Sequence, residues 1–257
     1  LVQFSSIQVH DKQLAYQFID IGAPPSSPVL VFLHEALGSM ALWKTFPKDL
    51  CQICGFNGLL YDRQGHGHSD PMSLPRPSDY LEIEAWHYLP ELLDQMEIEK
   101  PILFGHSDGG SIALLYAAKH PVSALITEAA HIYIEPETIQ GIKLALEQMQ
   151  TNNLKTKLAR YHGGKTEILI SAWAETWLSE PFQKWDISEY LPQIYAPTLL
   201  LQGKSDEFAT AQQLYDIEEM TGGNAKALLL DDCGHIPHFH AKEAVLKTVE
   251  EFLKLRL

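Results

Sequence analysis

Short apolar runs rich in Val, Ile and Leu recur along the chain, separated by longer stretches of helical pattern. The runs are Val29–His34, Gly58–Asp62, Pro101–Gly105, Ala124–Glu128, Thr198–Gln202 and Ala227–Leu230. Each is short for a helix and apolar nearly throughout, which predicts strands buried on both faces. The helical stretches are Met40–Cys54, Tyr80–Met96, Ser107–Lys119, Thr210–Met220 and Ala241–Leu255. Alternation of this kind predicts βαβ units, and so an α/β fold with a mostly parallel, doubly wound sheet. Two further strands, Phe4–Val9 and Gln13–Asp20, are predicted ahead of the breaker cluster Gly22–Pro28.

The rhythm breaks once. Residues 132–191 contain no strand-like run and read as helices over Glu137–Gln150, Leu154–Tyr161, Thr166–Leu178 and a short one near Pro181–Trp185. Such a segment is too long for a simple connection between two late strands. It is expected to be a helical lid over the sheet edge where open α/β sheets bind ligands. The expected organisation is therefore a core of residues 1–131 and 192–257, with 132–191 as the lid.

Charge narrows the partners. With 33 acidic against 19 basic residues, the net charge of −14 argues against general affinity for nucleic acid or anionic membrane. No apolar run is long enough to span a bilayer. No basic-then-apolar leader is visible, and three cysteines in 257 residues are no disulfide framework, so a cytoplasmic location is expected. Oligomeric state is not legible.

The segment with most chemistry is Ile102-Leu103-Phe104-Gly105-His106-Ser107-Asp108-Gly109-Gly110. It places Gly-x-Ser-x-Gly between a predicted strand and a predicted helix. A serine on so sharp a turn projects its hydroxyl above the sheet, and glycines two residues either side keep side chains from colliding with adjacent strands. The helix behind Ser107 points its positive end at the site.

A serine hydroxyl needs a base to become a nucleophile. Leu228-Leu229-Leu230-Asp231-Asp232-Cys233-Gly234-His235 runs from the last predicted strand into a loop, putting His235 at the edge where Ser107 sits. His238 and His240 compete for the role; His240 is expected on the last helix, and His238 in a pocket wall. The base needs an orienting carboxylate. Asp206, three residues past Gly203 at another strand end, is the candidate, with Glu207 and Glu128 as competitors. The chain order Ser107, Asp206, His235 is the order expected of a nucleophile on this type of turn.

With these residues in place, the chain resembles the α/β-hydrolase superfamily in its lid-bearing serine hydrolase and esterase branch. The resemblance extends over essentially the whole chain. It rests on Leu33-His34-Glu35-Ala36-Leu37-Gly38-Ser39, Asp62-Arg63-Gln64-Gly65-His66-Gly67-His68-Ser69, Gly105-His106-Ser107-Asp108-Gly109, the Gly203…Asp206 turn and Gly234-His235. It implies an oxyanion hole made of the backbone amides of Ala36 and Asp108. The departure is Glu35, where most relatives have Gly. Its side chain is expected to turn away and be capped, the alternative being that it reads a polar or cationic group of the substrate.

Other features have simpler readings. His66-Gly67-His68-Ser69-Asp70 matches a metal pattern that lacks its further His, so it reads as a structural loop and no metal is expected. Cys51, Cys54 and Cys233 read as packed thiols, and His106 as structural. Glu35, His131, Trp173, Trp177, Phe208 and Ile236 are the candidate pocket residues, with the two tryptophans sharing a face at i, i+4.

The expected activity is cleavage of a small carboxylic ester or related acyl bond by an acyl-serine route that requires no cofactor. A C–C hydrolase with the same triad would need cations for substrate carboxylates, for which Arg63, Arg160 and Lys165 are the candidates. A lactonase or thioesterase is equally compatible, and the alternative from another class is a non-catalytic small-molecule receptor.

Overall fold

The computed structural model describes residues 4–257; the first three residues of the expected core segment lie outside them. The strands are β1 (Ser5–Val9), β2 (Lys12–Ile19), β3 (Leu30–Leu33), β4 (Gly58–Tyr61), β5 (Ile102–His106), β6 (Ala124–Glu128), β7 (Thr198–Gly203) and β8 (Ala225–Leu230). The helices are α1 (Phe46–Cys54), α2 (Tyr80–Ile83), α3 (Leu89–Gln95), α4 (Asp108–Lys119), α5 (Pro136–Thr151), α6 (Leu154–His162), α7 (Thr166–Trp177), α8 (Ala211–Met220), α9 (Pro237–His240) and α10 (Lys242–Arg256). All eight strands form one sheet in the order β1-β2-β4-β3-β5-β6-β7-β8. From β4 to β8 every pairing is parallel; β1 and β2 extend the sheet antiparallel at one edge.

Every residue of β3 to β7 is buried, because helices cover both faces. Along β5, Leu103 belongs to the buried cluster on one face that includes Leu81, Leu92, Ile112 and Leu214, while Ile102 and Phe104 belong to the cluster on the other that includes Phe46, Leu50, Val245 and Phe252. The alternation follows from the two-residue period of a strand. The expectation of two buried faces fails at β8, where only Leu230 is fully buried. It is the edge of the sheet, so Leu228 and Leu229 stay partly exposed despite their apolar character.

Two helical expectations resolve more finely. Met40–Cys54 is a 3-10 turn, Met40–Trp43, followed by α1. Tyr80–Met96 is one helical stretch with a π turn, Glu84–Tyr88, between α2 and α3. Pro90 has no amide hydrogen for the ladder at that point, and the Leu89 amide bonds instead to Glu84 O, five residues back.

Between β6 and β7 lie α5, α6, α7 and three 3-10 turns, Gly163–Lys165, Phe182–Lys184 and Ser188–Gln193. The ends of this segment are pinned by a bridge between Tyr133 and Asp186 and by the Ile187 amide donating to Ile132 O at 2.8 Å. Within it, Trp177, Phe182 and Trp185 form an aromatic cluster; Phe182 and Trp185 stack at 5.3 Å.

Strand register brings three loops to one end of the sheet. Leu33 pairs Gly105, so the loop after β3 lies beside Ser107. Gly203 pairs Leu230, so the loops that carry Asp206 and His235 leave the sheet side by side.

Candidate active site

Ser107 occupies the turn between β5 and α4 with φ 52° and ψ −116°, a backbone conformation that L-residues avoid. The turn is possible only with glycines around it. A Cβ on Gly105 would lie 2.1 Å from Gly109 O, and one on Gly109 would lie 1.9 Å from Leu33 O. The second clash is with a neighbouring strand, as expected. The first is with the helix that follows the serine, because α4 turns back directly over β5.

His235 Nε2 lies 3.0 Å from Ser107 Oγ, and His235 Nδ1–H donates to Asp206 Oδ1 at 2.8 Å. Asp206 is held in turn by the amide of Phe208 at 2.9 Å, while its Oδ2 has no partner among the described residues. Glu207 accepts from the His235 amide at 3.2 Å rather than from its ring. Burial alone would depress the basicity of His235. The Asp206 carboxylate outweighs it by charge and hydrogen bond, and the imidazole titrates above its ordinary value. Reciprocally, burial would raise Asp206, but His235 holds it below the usual carboxylate value.

The amides of Ala36 and Asp108 have no acceptor among the described residues. The loop that carries Ala36 is fastened from several sides. His34 Nδ1–H donates to Glu35 O at 2.8 Å, and its Nε2 accepts the Arg63 amide at 3.1 Å. Arg63 Nη2 donates to His34 O at 3.1 Å and Glu35 O at 2.9 Å. His66 Nε2–H donates to Ala36 O at 3.0 Å. His162 on α6 donates to Leu37 O at 2.9 Å and accepts from the Gly67 amide at 3.0 Å, tying the inserted helices to the same loop. Glu35 caps this turn: its Oε2 accepts the Leu37 amide at 2.5 Å. It still lines the cavity with Ser107, and burial raises its carboxyl above the usual value.

Asp108 contributes its amide at the site, and its side chain is engaged behind it. Oδ2 accepts from Tyr80 at 2.7 Å and lies 3.4 Å from Arg63 Nη1. Tyr80 in turn accepts from Trp177 Nε1 at 2.9 Å, a chain running from the inserted helices to the residue after Ser107.

Ser107 opens into a cavity of about 220 Å³. Of the residues expected in a pocket, Glu35, His131, Trp173, Trp177, Phe208 and Ile236 all line it. His131 is buried and held down to about 4, first by burial and then by the nearby His235, so it is a neutral wall. The Phe208 ring lies 4.7 Å from the His235 ring. Trp173 and Trp177 serve both as packing of the insertion and as wall. Sequence reading missed Ile142, Ala145 and Met149, which α5 presents at i, i+3 and i+7, and Leu154 and Leu158 on α6. That helical spacing was a signal, but it does not say which cavity a face meets.

The other candidates go elsewhere. Arg63 is buried in its braces, Lys165 donates to His66 O at 3.0 Å, and Arg160 is exposed; none lines the Ser107 cavity. His66, His68 and Asp70 diverge: the ring of His68 stacks on Phe4, and Asp70 accepts the Gln13 amide at 2.8 Å. His106 donates from Nε2 to His235 O at 2.7 Å, away from the hydroxyl. His240 ends α9 rather than lying on the last helix, where its Nδ1 accepts the Gly234 amide at 3.3 Å. Glu128 pairs with His238 at 2.6 Å and not with His235. Cys51 and Cys233 are buried thiols and Cys54 half-buried; burial pushes Cys51 and Cys54 up to about 12 and Cys233 to about 11. No helix of the described residues is long and apolar enough to cross a membrane.

A family model described as alpha/beta hydrolase fold matches residues 28–185. The 2-hydroxy-6-oxononadienedioate/2-hydroxy-6-oxononatrienedioate hydrolase of Cupriavidus pinatubonensis is 25% identical, over 98% of this chain and 94% of its own. A proline iminopeptidase of Saccharolobus solfataricus is 25% identical, over 87% of this chain and 84% of its own. The crystal structure of an enol-lactonase from Burkholderia xenovorans superposes with a TM-score of 0.76 at 19% identity, over 97% of this chain and 100% of its own.

Proposed function

This chain belongs to the α/β-hydrolase family and is a hydrolase, and on that premise we propose that it cleaves small carboxylic esters through an acyl-serine intermediate. The observation that carries the reading is the unbroken relay Ser107 Oγ, His235, Asp206, with links of 3.0 and 2.8 Å, at the floor of an apolar cavity.

In this reading Ser107 Oγ attacks the ester carbonyl as His235 Nε2 takes its proton. Asp206 holds the imidazole in the tautomer that leaves Nε2 free to accept, and stabilises the imidazolium that forms. The amides of Ala36 and Asp108 receive the oxyanion, already oriented because the loop and the helix are braced before substrate arrives. His235 returns the proton to the departing alcohol, and water activated by the same nitrogen then releases the acid. Residues 132–191 act as the lid, and Ile142, Met149 and Leu158 meet the acyl chain. A cavity of about 220 Å³ lies below the range of drug-sized sites, which suits a short or medium acyl group.

The relative from Cupriavidus is named for a substrate with two carboxylates. No Lys or Arg lines the Ser107 cavity among the described residues, and a dicarboxylate would meet Glu35 there. That disfavours the C–C hydrolase reading for this chain. The test is hydrolysis of p-nitrophenyl esters from acetate to decanoate, with Ser107→Ala as control. Turnover that is lost in the variant is expected. No turnover, and no labelling of Ser107 by a fluorophosphonate, would overturn the reading.

A further inference from the structure

A second cavity of about 220 Å³ adjoins the first. Glu35, His106 and Ile236 line both, so it begins where the oxyanion loop meets the residue after His235. Its other walls come chiefly from Leu42, Trp43 and Phe239. An apolar cavity of about 150 Å³ suffices to hold a benzene ring.

Polar side chains also line it, Glu35, Lys44 and His106 among them, and His238 is the one set between Trp43 and Phe239. His238 Nδ1–H donates to Glu128 Oε2 at 2.6 Å, and the His238 ring lies on Trp43 with centroids 4.4 Å apart. Glu128, at the end of β6, is wholly buried, and the His238 side chain is 10% exposed. The other ring nitrogen, Nε2, has no partner among the described residues and is not sealed from solvent. A carboxylate and an imidazole in a core are costly to bury, and an apolar pair of the same shape would pack there more cheaply. What the pair supplies is an imidazole fixed in orientation, with a free nitrogen on a cavity next to the reacting centre.

We propose that this cavity is the leaving-group compartment, and that it takes a flat apolar alcohol bearing a hydroxyl, which hydrogen-bonds His238 Nε2. The proposal rests on the ester-hydrolase reading. The side assignment follows from the chemistry. The acyl group stays on Ser107, whose cavity runs under α5 and α6. The alcohol departs with the proton that His235 returns, and the second cavity is walled by Ile236, His238 and Phe239, just beyond that histidine. Glu128 acts through His238 as a positioning residue.

The test holds the acyl group constant as acetyl and varies the alcohol through methyl, benzyl and 3-hydroxybenzyl. The kcat/KM values are expected to rise along that series, the last step by about tenfold. His238→Leu should bring the 3-hydroxybenzyl to benzyl ratio near one. Leu42→Trp, which fills the cavity from its rim, should collapse the benzyl to methyl ratio. Ratios left unchanged in both variants, or a change in acyl-length preference instead, would overturn the proposal. If no ester is cleaved, the ester reading fails first, and calorimetry of 3-hydroxybenzyl alcohol with the Ser107→Ala protein then decides the compartment. Binding lost on adding His238→Leu supports it, and no binding overturns it.

Discussion

Arg63 reaches the carboxylate of Asp108 at 3.4 Å with one nitrogen while the other donates to Glu35 O at 2.9 Å. One buried guanidinium thus braces both residues that flank the proposed oxyanion site. Lysine has one charge centre and no planar fork, so it cannot span both. Arg63→Lys is expected to lower kcat by at least tenfold with a smaller change in KM. Arg63→Met leaves a buried carboxylate without its cation and should cost about 3 kcal/mol or more of stability. Steady-state kinetics and urea unfolding measure the two effects.

Ser107 stores backbone strain at φ 52°. Glycine tolerates that conformation and alanine does not. Ser107→Gly is expected to be more stable than Ser107→Ala by about 1 kcal/mol, with both inactive. Equal melting temperatures for the two variants would count against a strained nucleophile turn.

Activity and stability should part company with pH. In the proposed mechanism turnover needs neutral His235, which titrates above its ordinary 6.5, so the acid limb of kcat/KM should have its midpoint above that value. Asp206→Asn should move the midpoint down and lower kcat by about 10³-fold or more. Stability follows other histidines. His34, His66, His106, His131 and His162 are held below 6.5, in each case chiefly by burial. As pH falls from about 6.5 towards 4, the unfolded chain takes up protons that these sites refuse, so the urea midpoint should drop across that window. His235 acts in the opposite sense. Its contribution is full below the unfolded value and fades as pH rises through its folded value, so its share of stability should decline as pH rises above 6.5.

The acyl wall is predicted to lie on α5. Met149→Ala should shift the preferred p-nitrophenyl ester to a longer acyl chain, and Ile142→Trp to a shorter one. An unchanged length profile in both variants would remove the insertion from the acyl site.

Much of this architecture could be read along the chain. The parallel strands were legible because burial on both faces demands uninterrupted Val, Ile and Leu, a purely local pattern. The Ser107 turn was legible because its backbone admits only glycine at Gly105 and Gly109. Even the convergence of Ser107, Asp206 and His235 at one edge followed from each standing just past a strand that runs in the same direction.

Other relationships have no local signature. The exposure of β8 depends on which strand lies at the edge, and the π turn before Pro90 on how a helix accommodates a missing donor. Arg63 reads like any cation suited to a substrate carboxylate until the fold seals it against Asp108. Glu128 and His238 are 110 residues apart, and only the strand order and the turn into α9 bring them together beside a second cavity. The chain's own letters determined which backbones could form and which groups could react. Distances between segments remote in sequence, and the burial they create, decided which charges are braces, which are walls, and which nitrogen is left free.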